Sequence, residues 1–170
     1  MKPTVSGSAW NTVRGVAGTE EFERTMAKLP QHLEYLVQPF VPEVAQEGEW
    51  SLLFFGGEYS HAVCKRPKDD DYRVQREFGG SVNLITPPPE ALAEARHALA
   101  AVAAMMKQRD FGRISYARID GVRSSGRFLI MEIELIEPFL FLGDVPEASR
   151  SFAAVIASEL KDVVRSVPSA

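Results

Sequence analysis

The fold of this chain is decided by residues 116–137, which read YARIDGVRSSGRFLIMEIELIE. Residues 124–126, Ser-Ser-Gly, have the composition of a hairpin turn. Between Phe128 and Leu135 the returning segment is apolar except for Glu132 and Glu134, which stand two apart and therefore share one face of a strand. The pattern predicts an antiparallel β-hairpin. Three apolar residues alternate with the glutamates and are predicted to lie on the opposite face: Leu129, Met131 and Ile133.

Three carboxylates of this hairpin are predicted to lie close together. Arg118 and Asp120 stand two apart on the first strand, so they also share a face. Burying acids without an opposite charge is unfavourable, and a cation that bridges Asp120, Glu132 and Glu134 would remove that penalty. An all-oxygen ligand set suits Mg²⁺ or Mn²⁺. The sequence therefore predicts a divalent metal site, with a solvent-exposed acidic face that binds nothing as the open alternative.

The composition of the chain excludes several classes of protein. The chain has 170 residues, 45% of them hydrophobic and 25% charged, which is ordinary for a globular domain with a buried core. A net charge of −4 gives no general affinity for nucleic acid or anionic membranes. The single cysteine, Cys64, excludes a disulfide framework and a thiolate metal site. We expect a cytoplasmic protein that binds neither nucleic acid nor membrane; a homo-oligomer is left open.

The rest of the pattern predicts short strands and helices around the hairpin. These are a strand end at 2–5, a helix at 20–28, a strand at 35–37, a hairpin of 50–55 with 59–65, and helices at 90–107 and 146–164. Antiparallel strands with helices between them are typical of an α+β domain. We expect 1–145 to form a partial nucleotide- and metal-binding domain and 146–170 to be its C-terminal helix and tail.

The order of these motifs resembles the ATP-grasp superfamily of carboxylate–amine ligases, especially its glutathione synthetase-like and D-cycloserine cyclo-ligase-like branches. The most specific local match is the acidic run from Glu132 to Pro138. The resemblance implies that Lys2 contacts the nucleotide phosphates. It also implies that the Ser6, Gly7 and Ser8 loop covers those phosphates, presenting backbone N–H donors to them.

The resemblance extends to the adenine and ribose sites. The family's hinge, whose backbone pairs with adenine, corresponds to Gln38, Pro39, Phe40 and Val41. Glu49 matches the glutamate that accepts hydrogen bonds from the ribose hydroxyls. Glu43 is a second candidate for that role if the register is shifted.

The family's remaining roles fall on arginines and on the acids of the hairpin. Arg73 is implied to bind the acyl phosphate or the substrate carboxylate, and Arg118 to neutralise the tetrahedral intermediate. Asp120, Glu132 and Glu134 correspond to the magnesium ligands. Many members have asparagine at the position of Glu134, and a glutamate there could tighten metal binding or shift the preference toward Mn²⁺.

The implied function is an ATP- and Mg²⁺-dependent ligase that activates a small carboxylate as an acyl phosphate for attack by an amine. Members carry a substrate domain and a first nucleotide-binding lysine before the lysine matched by Lys2. We therefore expect this chain to be the C-terminal ATP-binding portion of such an enzyme, inactive alone. The alternatives are a non-catalytic nucleotide-binding module or partner subunit, and a structural domain whose acids bind nothing.

Overall fold

A computed structural model describes residues 1–7, 9–66 and 80–166. It divides into two compact units, Met1–Pro42 and Glu43–Ala170. The predicted α+β class is confirmed, since antiparallel sheets pack with helices. Among the described residues no helix combines the length and the apolar character that a membrane crossing requires.

The first unit contains a two-stranded antiparallel sheet and one helix. Strand β1 (Lys2–Pro3) pairs with β2 (Tyr35–Leu36), and helix α1 (Glu20–Met26) lies between them in sequence. Thr19 caps α1 because its side chain accepts a hydrogen bond from the backbone N–H of Phe22. The predicted strands and helix of this region are therefore confirmed, with ends shifted by one or two residues.

The second unit is built on a five-stranded antiparallel sheet. Its elements, in chain order, are α2 (Glu43–Gln46), β3 (Glu49–Phe55), β4 (Glu58–Arg66), β5 (Ser81–Ile85), α3 (Pro89–Gln108), β6 (Tyr116–Ser124), β7 (Arg127–Glu134) and α4 (Pro146–Ser166). The strands lie in the order β5-β4-β3-β6-β7. Both predicted hairpins and both long helices are present, whereas β5 and α2 were not predicted.

The two faces of this sheet carry different layers. On one face, Leu52 and Phe54 pack with Ala91, Ala95 and Leu99 of α3 in the main core. On the other face, Leu53 and Val63 form a smaller cluster with Phe141, and Phe55 contacts Phe152 of α4 at a ring distance of 5.1 Å. Because successive side chains of a strand alternate between faces, β3 supplies both clusters from neighbouring residues.

A β-bulge corrects one sequence prediction. Asp120 pairs with Glu132, but the next residue, Gly121, pairs with Ile130, so Met131 is left without a partner on β6. The extra residue reverses the alternation on β7. Ile130 and Ile133 consequently pack against the main core, and the prediction that Leu129 shares the face of Ile133 is wrong.

His61 gives this unit a pH-dependent stability. The residue is 6% exposed, and its Nε2 lies 3.1 Å from the carbonyl oxygen of Leu140. Burial lowers the pKa of His61 from 6.5, despite that hydrogen bond and the nearby Asp144. Since the folded-state pKa lies below the unfolded one, the stabilisation is complete above pH 6.5 and is lost as the pH falls through the folded-state pKa.

We therefore expect the unfolding free energy of the wild type to fall as the pH is lowered from about 7.5 through the folded-state pKa of His61, by at most about 1.4 kcal/mol per pH unit for this one proton. Urea denaturation across that range measures it. His61→Gln keeps a donor for Leu140 but does not titrate, so the difference between the two proteins isolates His61. A difference that does not change with pH would contradict the expectation.

Candidate metal and nucleotide site

The acidic side chains of the β6–β7 hairpin lie on the face of the sheet opposite α3. Asp120 stands at the centre of β6, between Ser51 on β3 and Glu132 on β7. Glu134 pairs with Arg118 one step further along the hairpin. The register before the bulge therefore places all four charged side chains on one face.

The three carboxylates come together as the sequence predicts. Asp120, Glu132 and Glu134 each place one oxygen so that the three atoms lie within 4.8 Å of one another. Asp120 is buried at 2% exposure, whereas Glu132 is exposed and Glu134 is half-buried. Such a group of oxygens, open on one side, matches the ligand chemistry of Mg²⁺ and Mn²⁺. Their role as metal ligands stays a prediction.

Two cations already neutralise part of this charge. Arg118 donates to both oxygens of Asp120, from Nε at 3.0 and 3.1 Å and from Nη2 at 3.0 Å, and also to Glu134. Lys65, on β4, donates from Nζ to Asp120 at 3.0 Å and to Glu49 on β3. The hydroxyl of Ser51 donates a further bond to Asp120 at 2.7 Å. Asp120 is therefore the centre of a buried ion-pair network.

The charges of this network do not balance. Among the described residues it holds four carboxylates, of Glu49, Asp120, Glu132 and Glu134, against the two cations of Lys65 and Arg118. With every group ionised, the sum is −2. Glu132 forms no ion pair or hydrogen bond with any described side chain. A divalent cation fits both the missing charge and the unpaired ligand.

The pKa values reflect the same imbalance. Burial raises the pKa of Glu49, and Asp120 adds to this, although Lys65 opposes it. Burial likewise raises the pKa of Glu134 against the opposing effect of Arg118. Burial acts to raise the pKa of Asp120 as well, but Lys65 and Arg118 together hold it below its usual value. The network therefore favours the ionised form of Asp120 and disfavours the ionised forms of Glu49 and Glu134.

Lys65 is the member of this network that the sequence prediction missed. Its side chain is 11% exposed, and burial alone would lower its pKa, yet Asp120 and Glu49 raise it. The sequence does contain a signal for this role, since Lys65 directly follows the mostly apolar residues His61 to Cys64. A lysine buried in a strand needs an acidic partner.

Comparison with known proteins finds similar curated proteins and a similar solved structure. No family model matches the chain. It is 29% identical over 150 residues to the cycloserine biosynthesis protein DcsG of Streptomyces lavendulae, covering 84% of this chain and 48% of that protein. It is 28% identical over 149 residues to a D-alanine–D-alanine ligase of Thermotoga petrophila, covering 85% and 48%. The crystal structure of D-cycloserine synthetase DcsG superposes with a TM-score of 0.62 at 32% identity, over 72% of this chain and 41% of that one.

The chain is similar to ATP-grasp ligases. The resemblance to that superfamily seen in the sequence is thereby confirmed, and so is the α+β fold class. The chain spans about half the length of the curated relatives it matches, which agrees with the predicted ATP-binding portion.

Some residues that the ATP-grasp resemblance assigns to the nucleotide lie in the first unit. Lys2 is on β1, and Ser6 donates from its hydroxyl to the carbonyl of Trp10 at 2.9 Å, which closes the Gly/Ser loop on itself. Ser8 lies outside the described residues, as does Arg73. The phosphate and substrate roles of these residues stay predictions.

The hinge that the resemblance assigns to adenine is the stretch of Gln38, Pro39, Phe40 and Val41, which lies one residue after β2 and has no regular secondary structure. Within this unit the guanidinium of Arg14 stacks on the ring of Phe40, 3.6 Å from its centroid. An extended segment with an aromatic side chain suits a planar base. The adenine role stays a prediction.

The two glutamates considered for the ribose differ in their surroundings. Glu49 belongs to the charged network through Lys65, whereas Glu43 begins α2 and accepts a hydrogen bond from Ser124 at 2.6 Å. That bond lowers the pKa of Glu43 and ties α2 to the β6–β7 turn. Glu49 therefore lies beside the predicted metal site, and the ribose role of either glutamate stays a prediction.

Proposed function

We propose that this chain is the ATP- and Mg²⁺-binding portion of a carboxylate–amine ligase. The observation that supports this most directly is the network of four carboxylates and two cations, in which three oxygens converge within 4.8 Å. The relation to ATP-grasp ligases supplies the reaction class. One relative is named as a D-alanine–D-alanine ligase, so a small amino acid is the substrate class to test first.

In this proposal the acids bind the metal, and the two cations stabilise negative charge on the phosphoryl group that is transferred. Asp120, Glu132 and Glu134 would bind Mg²⁺, which supplies charge neutralisation for the phosphates of ATP when it is bound. Lys65 and Arg118 present fixed positive charge beside that position. Charge held in place before the reaction stabilises a transferring phosphoryl group without reorganisation.

The overall reaction consists of two transfers. The γ-phosphoryl group of ATP passes to an oxygen of the substrate carboxylate, giving ADP and an acyl phosphate. The neutral amine then attacks the acyl carbon, the bond from that carbon to the phosphate oxygen breaks, and the phosphate leaves with the proton that the amine loses as the amide forms. Arg118 is assigned to the oxyanion of this second step, with Arg73 as its predicted helper. No protein nucleophile takes part.

Calorimetric titration with a non-hydrolysable ATP analogue tests the nucleotide site. We expect measurable binding with Mg²⁺ and at least about tenfold weaker binding with EDTA, because the unbalanced acids repel the phosphates when no metal is present. Equal affinity under both conditions would contradict the metal-dependent site.

A ligation assay with the same chain distinguishes a ligase from a nucleotide-binding module. The chain spans about half of its relatives, so we expect it to bind nucleotide without forming product alone. Turnover by this chain alone would show that the reaction needs less of the protein than we propose.

A further inference from the structure

The face of the sheet opposite the acid network carries a cavity that the proposed ligase chemistry does not use. Its volume is about 480 Å³, within the range of small-molecule sites. It lies directly behind the network, because Trp50 follows Glu49 and Cys64 precedes Lys65 on the same strands. Its described lining residues include Glu47, Trp50, Cys64, Arg66, Asn83, Ile85 and Arg123.

Four adjacent strands form the floor of this cavity. Trp50, Cys64 and Asn83 are successive cross-strand partners on β3, β4 and β5. Arg66 is two residues beyond Cys64 on β4, and Arg123 is two residues beyond Gly121, the partner of Trp50 on β6. All of them therefore project from one face of the sheet.

The end of α2 and the turn after it form the wall. The thiol of Cys64 donates to the carbonyl oxygen of Glu47 at 3.3 Å. Gly48 has a φ of +85°, and a Cβ added there would lie 2.7 Å from the sulfur of Cys64. Only glycine allows this approach, so the wall is fixed closely against the strands.

The charges in the cavity favour an anion. It holds two guanidinium groups, of Arg66 and Arg123, and one carboxylate, of Glu47. Arg123 is 3.9 Å from Glu47 and lies over the ring of Trp50, 5.6 Å from its centroid. Arg66 forms no ion pair with the residues that the structure describes. Among the described residues one positive charge is therefore left over in a cavity that also has an indole wall.

We propose that this cavity binds a small planar carboxylate, with the carboxylate held by the arginines and the planar body packed on Trp50. A guanidinium matches a carboxylate with two parallel hydrogen bonds. The indole and Ile85 offer apolar surface to a flat ring, and the amide of Asn83 can orient it. The proposal does not depend on the ligase function, because the two sites occupy opposite faces of the sheet.

Benzoate is the probe, and fluorescence of Trp50 is the signal. The chain has two tryptophans, so the Trp10→Phe variant, in which an exposed residue is replaced, leaves Trp50 as the single reporter. We expect a saturable fluorescence change with a Kd on the order of 1 mM, as suits a ligand of this size. Adding Arg66→Gln should weaken it at least about tenfold, and Arg123→Gln likewise.

Three comparisons decide the outcome. Benzamide, which lacks the charge, and inorganic phosphate, which lacks the ring, should each bind at least about tenfold more weakly. Glu132→Gln should leave benzoate binding unchanged, which separates this site from the metal site. Linear quenching without saturation, equal binding of benzamide or phosphate, or unchanged binding after both arginine substitutions would overturn the proposal.

Discussion

Replacing Lys65 with methionine is expected to lower the free energy of unfolding by about 3–5 kcal/mol. Methionine retains most of the aliphatic part of the lysine side chain. It removes the ammonium group that contacts both Asp120 and Glu49. Asp120 keeps Arg118, whereas Glu49 loses the one ion pair it has among the described residues. A buried acid left without its partner retains its desolvation penalty. Urea denaturation at neutral pH, followed by circular dichroism, measures the loss.

Two control substitutions test whether the loss of stability comes from the ion pairs of Lys65. Lys161→Met, at an exposed position of α4, should change stability by less than about 0.5 kcal/mol. Lys65→Arg retains the charge and should recover part of the stability that methionine loses. If Lys65→Met unfolds like the Lys161 variant, the network does not stabilise the fold and Lys65 is not part of its charge balance.

The same substitution should make the protein respond more strongly to metal. Without Lys65 the sum of charges in the network changes from −2 to −3, so a divalent cation gains more from binding the folded state. Because a ligand stabilises the state that it binds, Mn²⁺ should raise the unfolding free energy of Lys65→Met more than that of the wild type.

Local patterns made most of the second unit predictable. The glycines at 56–57 and the Ser-Ser-Gly turn at 124–126 mark hairpins, and the apolar residues on either side fix their strands. The hairpins need only the chain within about twenty residues, so the sequence carries them directly. The convergence of Asp120, Glu132 and Glu134 needs more than a spacing of two, because regular pairing from the turn would place Asp120 opposite Met131, and the bulge places it opposite Glu132 instead.

Features that depend on register could not be predicted in the same way. Phe55 pairs with Glu58, and a regular hairpin would then place Glu49 opposite Cys64. A shift between Leu53 and Phe54 instead places Glu49 opposite Lys65, which creates the ion pair. One inserted residue exchanges the faces of a strand, and nothing in the local pattern marks where the insertion falls.

The edge strand β5 was not predicted, for a different reason. Its residues, Ser81–Ile85, are exposed or half-buried throughout, including Leu84 at 55%. A strand with little burial lacks the alternation by which strands are recognised. It forms because β4 offers free hydrogen-bonding groups along its edge, and that is a property of the assembled sheet.

Replacing Glu132 with glutamine is expected to weaken Mn²⁺ binding by about 100-fold or more while leaving the fold intact. Glu132 is exposed and forms no ion pair among the described residues, so its loss should change the unfolding free energy by less than about 0.5 kcal/mol. Its oxygen nevertheless lies within 4.8 Å of ligand oxygens from Asp120 and Glu134. Glutamine keeps the shape but removes one negative charge from a site whose affinity depends on charge.

The matched control is Glu94→Gln, which removes the same charge from an exposed position on α3, on the opposite face of the sheet. Calorimetric titration with Mn²⁺ should give the wild-type affinity for this control. A long-range effect of net charge would weaken both variants alike, since each has lost one charge. A selective loss at Glu132 with unchanged stability requires direct contact with the metal, because a merely structural glutamate would alter folding and affinity together. Equal affinities in all three proteins would mean that Lys65 and Arg118 are the only cations this cluster of acids requires.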